Sequence, residues 1–367
     1  MLGKMKALRL YAPGDLRCVE VDIPELEKDT QVKIKVKSCG VCTSDIPRVL
    51  KRGTYNFPMT IGHEFAGEVV EVGAGVPCLN LGDRVTVYPM ISCGACPCCQ
   101  AGNSHLCESY VYYGSSRDGA MAEYVVVEYT SCFPLPRGVD YEMASMTESV
   151  SAGLHAIHQI GAVKAVSTAA VEAGSTAVAE AGSSAAVYGL GVSGFAAMQW
   201  LKTFSCTEVY VVDTDEEKLE LAKRLGATEG FNPTKCNPVE EIRKRTDGGV
   251  DSAIEFSGNK KFIAWAVESV KKLGTVIYCG ITFEDVKLPH TVMAHILRGE
   301  ITIRGSWNSN ITSMDEWKKS LELMSNGRIK VNPLITQRYS LEEGPKVFKM
   351  LGDESESFTK MIFKPEY

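Results

Sequence analysis

Four cysteines, Cys93, Cys96, Cys99 and Cys107, fall within a fifteen-residue stretch, separated by two, two and seven residues. Thiolates gathered this tightly can surround one Zn2+ tetrahedrally, at Zn–S distances of about 2.3 Å. Four protein ligands leave no open position, so the chemistry they offer is structural, not catalytic. Cys98 falls out of step with the set, and the spacing matches neither common ferredoxin run, which disfavours an iron–sulfur cluster. A second set is dispersed: Cys42 in GVCTSD, His63 and Glu64 after Gly62, and Glu148 in TES. Cys42, His63 and Glu148 would give a metal one sulfur, one nitrogen and one oxygen, with a fourth position open to substrate. Asp45 and Glu64 would orient the histidine or stand in as ligands. On spacing alone, a lone cysteine and histidine are more often core residues.

A third motif, Gly189-x-Gly191-x2-Gly194 with Val192 inside it, follows the apolar run Ala185–Tyr188 and opens a helix over Phe195–Leu201. Nineteen residues on, Asp213 ends the next apolar run. Glycines there permit a tight turn and close approach of a pyrophosphate to a helix N-terminus, and the acid binds ribose hydroxyls. Asp213 is followed by Thr214-Asp215 with no arginine, a setting that repels a 2′-phosphate and favours NAD over NADP. Lys218, on the following helix, is within reach of the ribose. His155 and His158, three apart, read as packed residues, and His290 and His295, five apart, do not share a helix face.

The elements that must position these residues come in two kinds. Gln31–Ser38, Phe65–Val72 and Met121–Val127 are β-rich runs broken by turns, which predicts a compact barrel-like lobe. From about residue 184 strands alternate with helices. The predicted strands are Ala185–Tyr188, Glu208–Asp213, Thr228–Phe231, Asp251–Phe256, Thr275–Cys279 and Ile301–Gly305, with helices such as Glu216–Leu225 and Phe262–Lys272 between them. That order calls for a parallel sheet covered on both faces. After about residue 306 the chain returns to the first lobe. Three near-copies of an octamer, Ala165–Glu172, Ala173–Glu180 and Ala181–Tyr188, precede the first strand. The first two, about 165–180, read as a surface insertion whose extra loop-closure cost is only about 1 kcal/mol.

At 367 residues the chain is long enough for two cores, and its 45% hydrophobic and 23% charged residues exclude wholesale disorder. A net charge of −6 leaves no basic footprint for nucleic acid. No apolar run reaches the about 18–20 residues of a membrane helix, and the start, MLGKMKALRL, lacks a secretory h-region. Clustered cysteines without an export signal are expected as metal ligands in a reducing cytoplasm.

With these motifs in place, the whole chain, apart from the octamer insertion, resembles the zinc-dependent medium-chain dehydrogenases, within them the sorbitol and galactitol-1-phosphate dehydrogenase branch. The residues that carry it are Cys42 in CTSD, His63 in GHE, Glu148 in ESVSAGLHA, Ser44-Asp45-Ile46-Pro47-Arg48, Tyr55-Asn56-Phe57-Pro58, Gly114–Gly119 and Gly305-Ser306-Trp307. The resemblance implies an α/β chain. A GroES-like β-barrel catalytic domain would take residues 1–155 and 306–367, and a doubly wound parallel-sheet (Rossmann) NAD-binding domain residues 156–305. It implies two zinc ions, one catalytic on Cys42, His63 and Glu148, one structural on the cysteine cluster; in some relatives Glu64 is the direct ligand instead. The relay histidine of alcohol dehydrogenases would fall at Pro47, which leaves Ser44 and water to take the proton, and Ser149 stands where a proline is usual. The activity implied is oxidation of a secondary alcohol of a polyol or polyol phosphate, galactitol 1-phosphate to tagatose 6-phosphate foremost, by a homodimer or homotetramer. Arg48 and Arg117, with Lys51 and Arg52, are the phosphate candidates. The alternatives are an unphosphorylated polyol, diol or hydroxy amino acid, or a non-catalytic nucleotide-binding protein on the same fold.

Overall fold

The computed structural model describes residues 3–167, 183–204, 206–353 and 357–366. The octamer insertion therefore lies outside the described residues, apart from its first three positions. The chain divides into two compact units, one of residues 1–148, 310–327 and 331–367, the other of residues 149–309 and 328–330.

The first unit is built on a seven-stranded sheet in which strand Gln31–Gly40 is central. It pairs antiparallel with Glu64–Val72, with Tyr124–Glu128 and with the last strand, Lys360–Phe363. Alternation explains this position: Val32, Ile34 and Val36 are fully buried and pack with Phe65, Val69, Val85, Val127 and Phe363. The residues between point to the other face. Strand pairing sets Gly40 opposite both Glu64 and Ile362, which draws the ends of three strands together. The run at Met121 becomes a strand only at Tyr124; before it, Ala122 makes a single bridge to Ala7.

The second unit is a six-stranded parallel sheet. In spatial order its strands are Glu229–Phe231, Glu208–Val212, Ser184–Tyr188, Val250–Glu255, Val270–Tyr278 and Thr302–Gly305. Numbered along the chain this is 3-2-1-4-5-6, the doubly wound order whose switch point lies beside the first strand. All five residues of Ser184–Tyr188 are buried, as expected for a strand covered on both faces. Two helix limits differ from expectation. The helix after the glycine loop spans Val192–Thr203, so Gly194 lies in its first turn. Helix Lys260–Ser269 stops before Lys272, because Val270 leaves it to pair with Val250 in the sheet.

Candidate active site

The loop after strand Gln31–Gly40 folds back on itself. Asp45 N–H donates to the Cys42 carbonyl at 2.9 Å, and Cys42 N–H donates to Asp45 Oδ2 at 3.2 Å. Across the sheet His63 immediately precedes strand Glu64–Val72, so the Gly40–Glu64 pairing brings Cys42 beside His63 and Glu64. One ligand atom from each of these three lies within 4.8 Å of the others. Gly62, with φ +97°, has its carbonyl pressed by Gly119, where a Cβ would sit 2.2 Å from it. The Gly114–Gly119 stretch thus braces the His63 loop.

Asp45 is fully buried and does three jobs: it accepts from Cys42, pairs with Arg48 and faces His63 Nδ1 at 3.3 Å. Burial alone would raise its pKa, but His63 and Arg48 outweigh burial and hold it down to about 2. Burial likewise opposes protonation of His63, yet the Asp45 carboxylate and Cys42 sulfur raise its pKa well above the ordinary value. Ser44 donates its hydroxyl to Cys42 Sγ at 3.1 Å. Glu148 lies outside the three-residue group. It is half-buried and receives the Tyr112 hydroxyl at 3.5 Å, and desolvation and the Glu64 charge raise its pKa. Tyr112 also sets its ring edge-on to His63, centroids 5.4 Å apart.

The charges of this cluster suit a divalent metal. Three carboxyl side chains, Asp45, Glu64 and Glu148, and the Cys42 sulfur gather here with Arg48 and Lys360, which pair with Asp45 and Glu64; metal binding to such a set is linked to proton release. A sulfur, an imidazole nitrogen and a carboxylate oxygen, with an acid orienting the imidazole, are the donors zinc takes in open sites.

The ligand sulfurs of Cys93, Cys96, Cys99 and Cys107 also lie within 4.8 Å of one another. Backbone N–H groups are aimed at them: Ala95 and Cys96 donate to Cys93 Sγ at 3.5 and 3.3 Å, and Cys93 donates to Cys107 Sγ at 3.2 Å. Such donors stabilise thiolates. They lower the pKa of Cys93, and the Cys99 and Glu108 amides bring Cys96 down to about 6.

In the second unit, Gly189 has φ +90°, and Gly194 packs so closely that a Cβ would lie 2.0 Å from the Gly189 carbonyl oxygen. Gly191 differs: it caps helix Val192–Thr203 in an extended conformation with no side-chain cap, and its Cβ would meet nothing within 4 Å. A tight loop with open space over uncapped helix amides fits a pyrophosphate. Asp213 accepts the Leu190 N–H at 2.7 Å and the Asp215 N–H at 3.0 Å, so it also anchors the loop. Asp215 caps helix Glu216–Arg224 through the Glu217 and Lys218 amides, which sets Lys218 in its first turn.

Two stretches of the chain match known protein families separately. The alcohol dehydrogenase GroES-like domain model matches residues 28–137, and the zinc-binding dehydrogenase model residues 192–326. Galactitol 1-phosphate 5-dehydrogenase of Escherichia coli K12 is 31% identical over 92% of this chain and 94% of its own length. The chain belongs to the zinc-dependent alcohol dehydrogenase family. Its fold is accordingly a GroES-like barrel unit joined to a Rossmann unit, and it is an oxidoreductase of the polyol and alcohol type. A crystal structure of galactitol-1-phosphate dehydrogenase from Escherichia coli aligns at TM-score 0.87 and 30% identity, covering 98% of this chain and all of that one. Sorbitol dehydrogenase of Bacillus subtilis is 31% identical over 92% of this chain and 91% of its own. A zinc-binding dehydrogenase from Sinorhizobium meliloti 1021, solved bound to NADP, aligns at TM-score 0.86 and 30% identity over 99% and 100%.

The remaining sequence candidates are placed as follows. Arg48 is paired with Asp45; Arg117 lies 3.6 Å from Glu128 and 3.8 Å from Glu27; Lys51 and Arg52 are exposed. His155 Nε2 is 3.0 Å from Gln159 Nε2, His158 packs against Phe204, and His295 Nε2 is 3.0 Å from the Val270 carbonyl oxygen. Sequence reasoning missed Tyr112 and Lys360. Only a buried-position lysine in the apolar run KMIF could have signalled the second. No helix among the described residues is long and apolar enough to cross a membrane.

Proposed function

We propose that this dehydrogenase oxidises a secondary alcohol of a polyol or polyol phosphate with NAD, galactitol 1-phosphate being the first substrate to test. The observation that carries the reading is the grouping of Cys42, His63 and Glu64 around a single point, with Glu148 beside it. Zinc, when bound, supplies a Lewis acid that makes a substrate hydroxyl more acidic, and NAD supplies the hydride acceptor. Cys42 and His63 hold that metal, with Glu64 or Glu148 as third ligand, and Asp45 fixes the imidazole through Nδ1. Ser44, held by its bond to Cys42 Sγ, takes the hydroxyl proton and passes it to water, since Pro47 stands in the place of a relay histidine. Asp213 and Lys218 receive the adenosine ribose, and the acid rejects a 2′-phosphate. The cysteine cluster holds the second, structural zinc.

Arg48 heads a basic stretch with Lys51 and Arg52, which supports a phosphorylated substrate. A second reading, an unphosphorylated polyol, is favoured by the carboxylates already facing both candidate arginines: Asp45 for Arg48, Glu27 and Glu128 for Arg117. The edge strand Thr302–Gly305, with exposed Ile303 and with Met293 and Leu297 on the preceding helix, supports a homo-oligomer. A screen of NADH formation on hexitols and their phosphates tests the assignment. Faster turnover of phosphates supports the first reading and faster turnover of free polyols the second. No turnover by protein with only one zinc per chain leaves a nucleotide-binding protein without catalysis.

A further inference from the structure

Tyr112 ends the short strand Val111–Tyr112, which pairs with Met90–Ile91. Its backbone is clamped. The N–H donates to Ser116 Oγ at 2.8 Å, and the carbonyl receives the Ser116 N–H at 3.0 Å and the Ser115 and Arg117 N–H groups at 3.3 Å each. The turn runs through Gly114 to Gly119, and both glycines pack on Gly62, which leads into His63. Phenol and imidazole thus share one brace, and their rings meet edge-on. Tyr112 is half-buried, so it is not sealed inside the core. Its hydroxyl donates to Glu148 Oε1 at 3.5 Å, beyond the about 2.5–3.0 Å of a good O–H···O bond, and a donor with so long a bond can turn to a better acceptor. Desolvation and the Glu148 charge keep the phenol protonated.

The grouping of Cys42, His63 and Glu64 fixes where a reacting hydroxyl meets the metal, and Ser44 is there to take its proton. Tyr112 stands beside His63 and Glu148 as a further donor that neither proton nor hydride transfer uses. A polyol carries a second hydroxyl on the carbon next to the reacting one; a simple secondary alcohol carries only hydrogens there. We propose that Tyr112 is a specificity-determining residue that donates its hydroxyl to this neighbouring substrate oxygen, so that the site selects vicinal diols over isolated secondary alcohols. The proposal rests on the polyol dehydrogenase reading given above. The neighbouring carbon keeps its hydroxyl throughout the reaction, so the bond is the same in ground and transition states. Such uniform binding shows in KM and not in kcat. With an alcohol that lacks the second hydroxyl, the phenol keeps its long bond to Glu148 and contributes nothing to binding.

The test is steady-state kinetics of the zinc-loaded, full-length protein with NAD, Tyr112→Phe beside wild type. The substrates are galactitol 1-phosphate, galactitol, sorbitol, 2,3-butanediol and, without a second hydroxyl, 2-butanol. Phenylalanine keeps the ring against His63 and removes a hydroxyl whose bond within the protein is long, so Tm, zinc content and NADH affinity stay at wild-type values. In Tyr112→Phe, KM for the diol and the polyols rises about three- to tenfold, the worth of one neutral hydrogen bond. Their kcat, and kcat/KM for 2-butanol, stay within about twofold of wild type. Where 2-butanol reacts too slowly to measure, the division between KM and kcat on 2,3-butanediol decides. A fall in kcat with KM unchanged, or an equal loss on 2-butanol and 2,3-butanediol, overturns the proposal, because Tyr112 would then act on the reacting oxygen or through the metal ligands. Unchanged kinetics on every substrate, or loss of zinc from Tyr112→Phe, also overturns it. Wild-type protein that oxidises none of these alcohols overturns the polyol reading on which it rests.

Discussion

Two glycines three residues apart in the nucleotide loop should fail in opposite ways when each is replaced by alanine. At Gly191 the backbone is extended, with φ −75° and ψ −178°, which any residue adopts, and a Cβ meets nothing within 4 Å. Gly191→Ala should therefore leave stability essentially unchanged. Its methyl group projects into the open space assigned to the pyrophosphate, where crowding costs about 1–3 kcal/mol. NADH binding should weaken by about five- to a hundred-and-fifty-fold. At Gly194 the new Cβ would stand 2.0 Å from the Gly189 carbonyl oxygen. The first helical turn and the loop would have to part by about 1 Å or more. Alanine recovers about 1 kcal/mol of helix propensity, but the overlap costs more, for a net loss of about 2 kcal/mol and about 4–8 °C in Tm. Calorimetric melting and NADH titration by fluorescence separate the two outcomes. Wild-type NADH affinity in a normally folded Gly191→Ala would refute the placement of the pyrophosphate at this loop.

Cys99→Ser should reduce zinc from two ions per chain to one by elemental analysis and lower Tm, since a closed thiolate site contributes folding energy directly. Full stability with abolished turnover would mean that the structural and catalytic roles are reversed. Asp213→Asn should raise the Kd for NAD about tenfold and narrow the gap to NADP; equal use of both cofactors by the wild type would count against the role given to Asp213. Arg48→Ala should lower kcat/KM for hexitol phosphates about ten- to a hundredfold more than for free hexitols. An equal loss on both would show that Arg48 acts through Asp45 and His63. Glu142 receives Arg338 in a bidentate pair at 2.7–3.1 Å, and that bond, with Lys364, holds its pKa below the ordinary value. A depressed carboxylate stabilises the fold above its unfolded pKa and loses that contribution as pH falls through the folded one. Glu142→Gln should therefore cost about 1 kcal/mol at neutral pH and nothing at about pH 3, by chemical denaturation.

The parts of the fold legible in the sequence are those set by local signals. Ala185–Tyr188 announced a strand buried on both faces, the glycines announced the turn after it, and Asp213 sits one strand over, as a doubly wound sheet requires. The grouping of the four cysteines was legible because all of them lie on one short stretch of chain. What escaped depends on pairing between distant segments. Lys360 meets Glu64 across 296 residues only because both strands flank Gln31–Gly40. Tyr112 reaches Glu148 and His63 from the end of the short strand Val111–Tyr112, just before the glycines that pack on Gly62. The helical pattern of Phe262–Lys272 overran its true end because Val270 is equally fit for a strand, and only its partner Val250 decides between them. Arg117 read as open to a phosphate because nothing local shows that Glu128 and the distant Glu27 face it.

The most direct test of the catalytic account is the rate of NADH appearance when zinc-loaded protein is given galactitol 1-phosphate and NAD, wild type beside Cys42→Ser. The account predicts steady NADH formation by the wild type and essentially none by the variant, with the cysteine-cluster zinc retained in both. Equal rates from the two proteins would contradict it, because turnover would then proceed without the metal site that Cys42, His63 and the neighbouring glutamates are read to form.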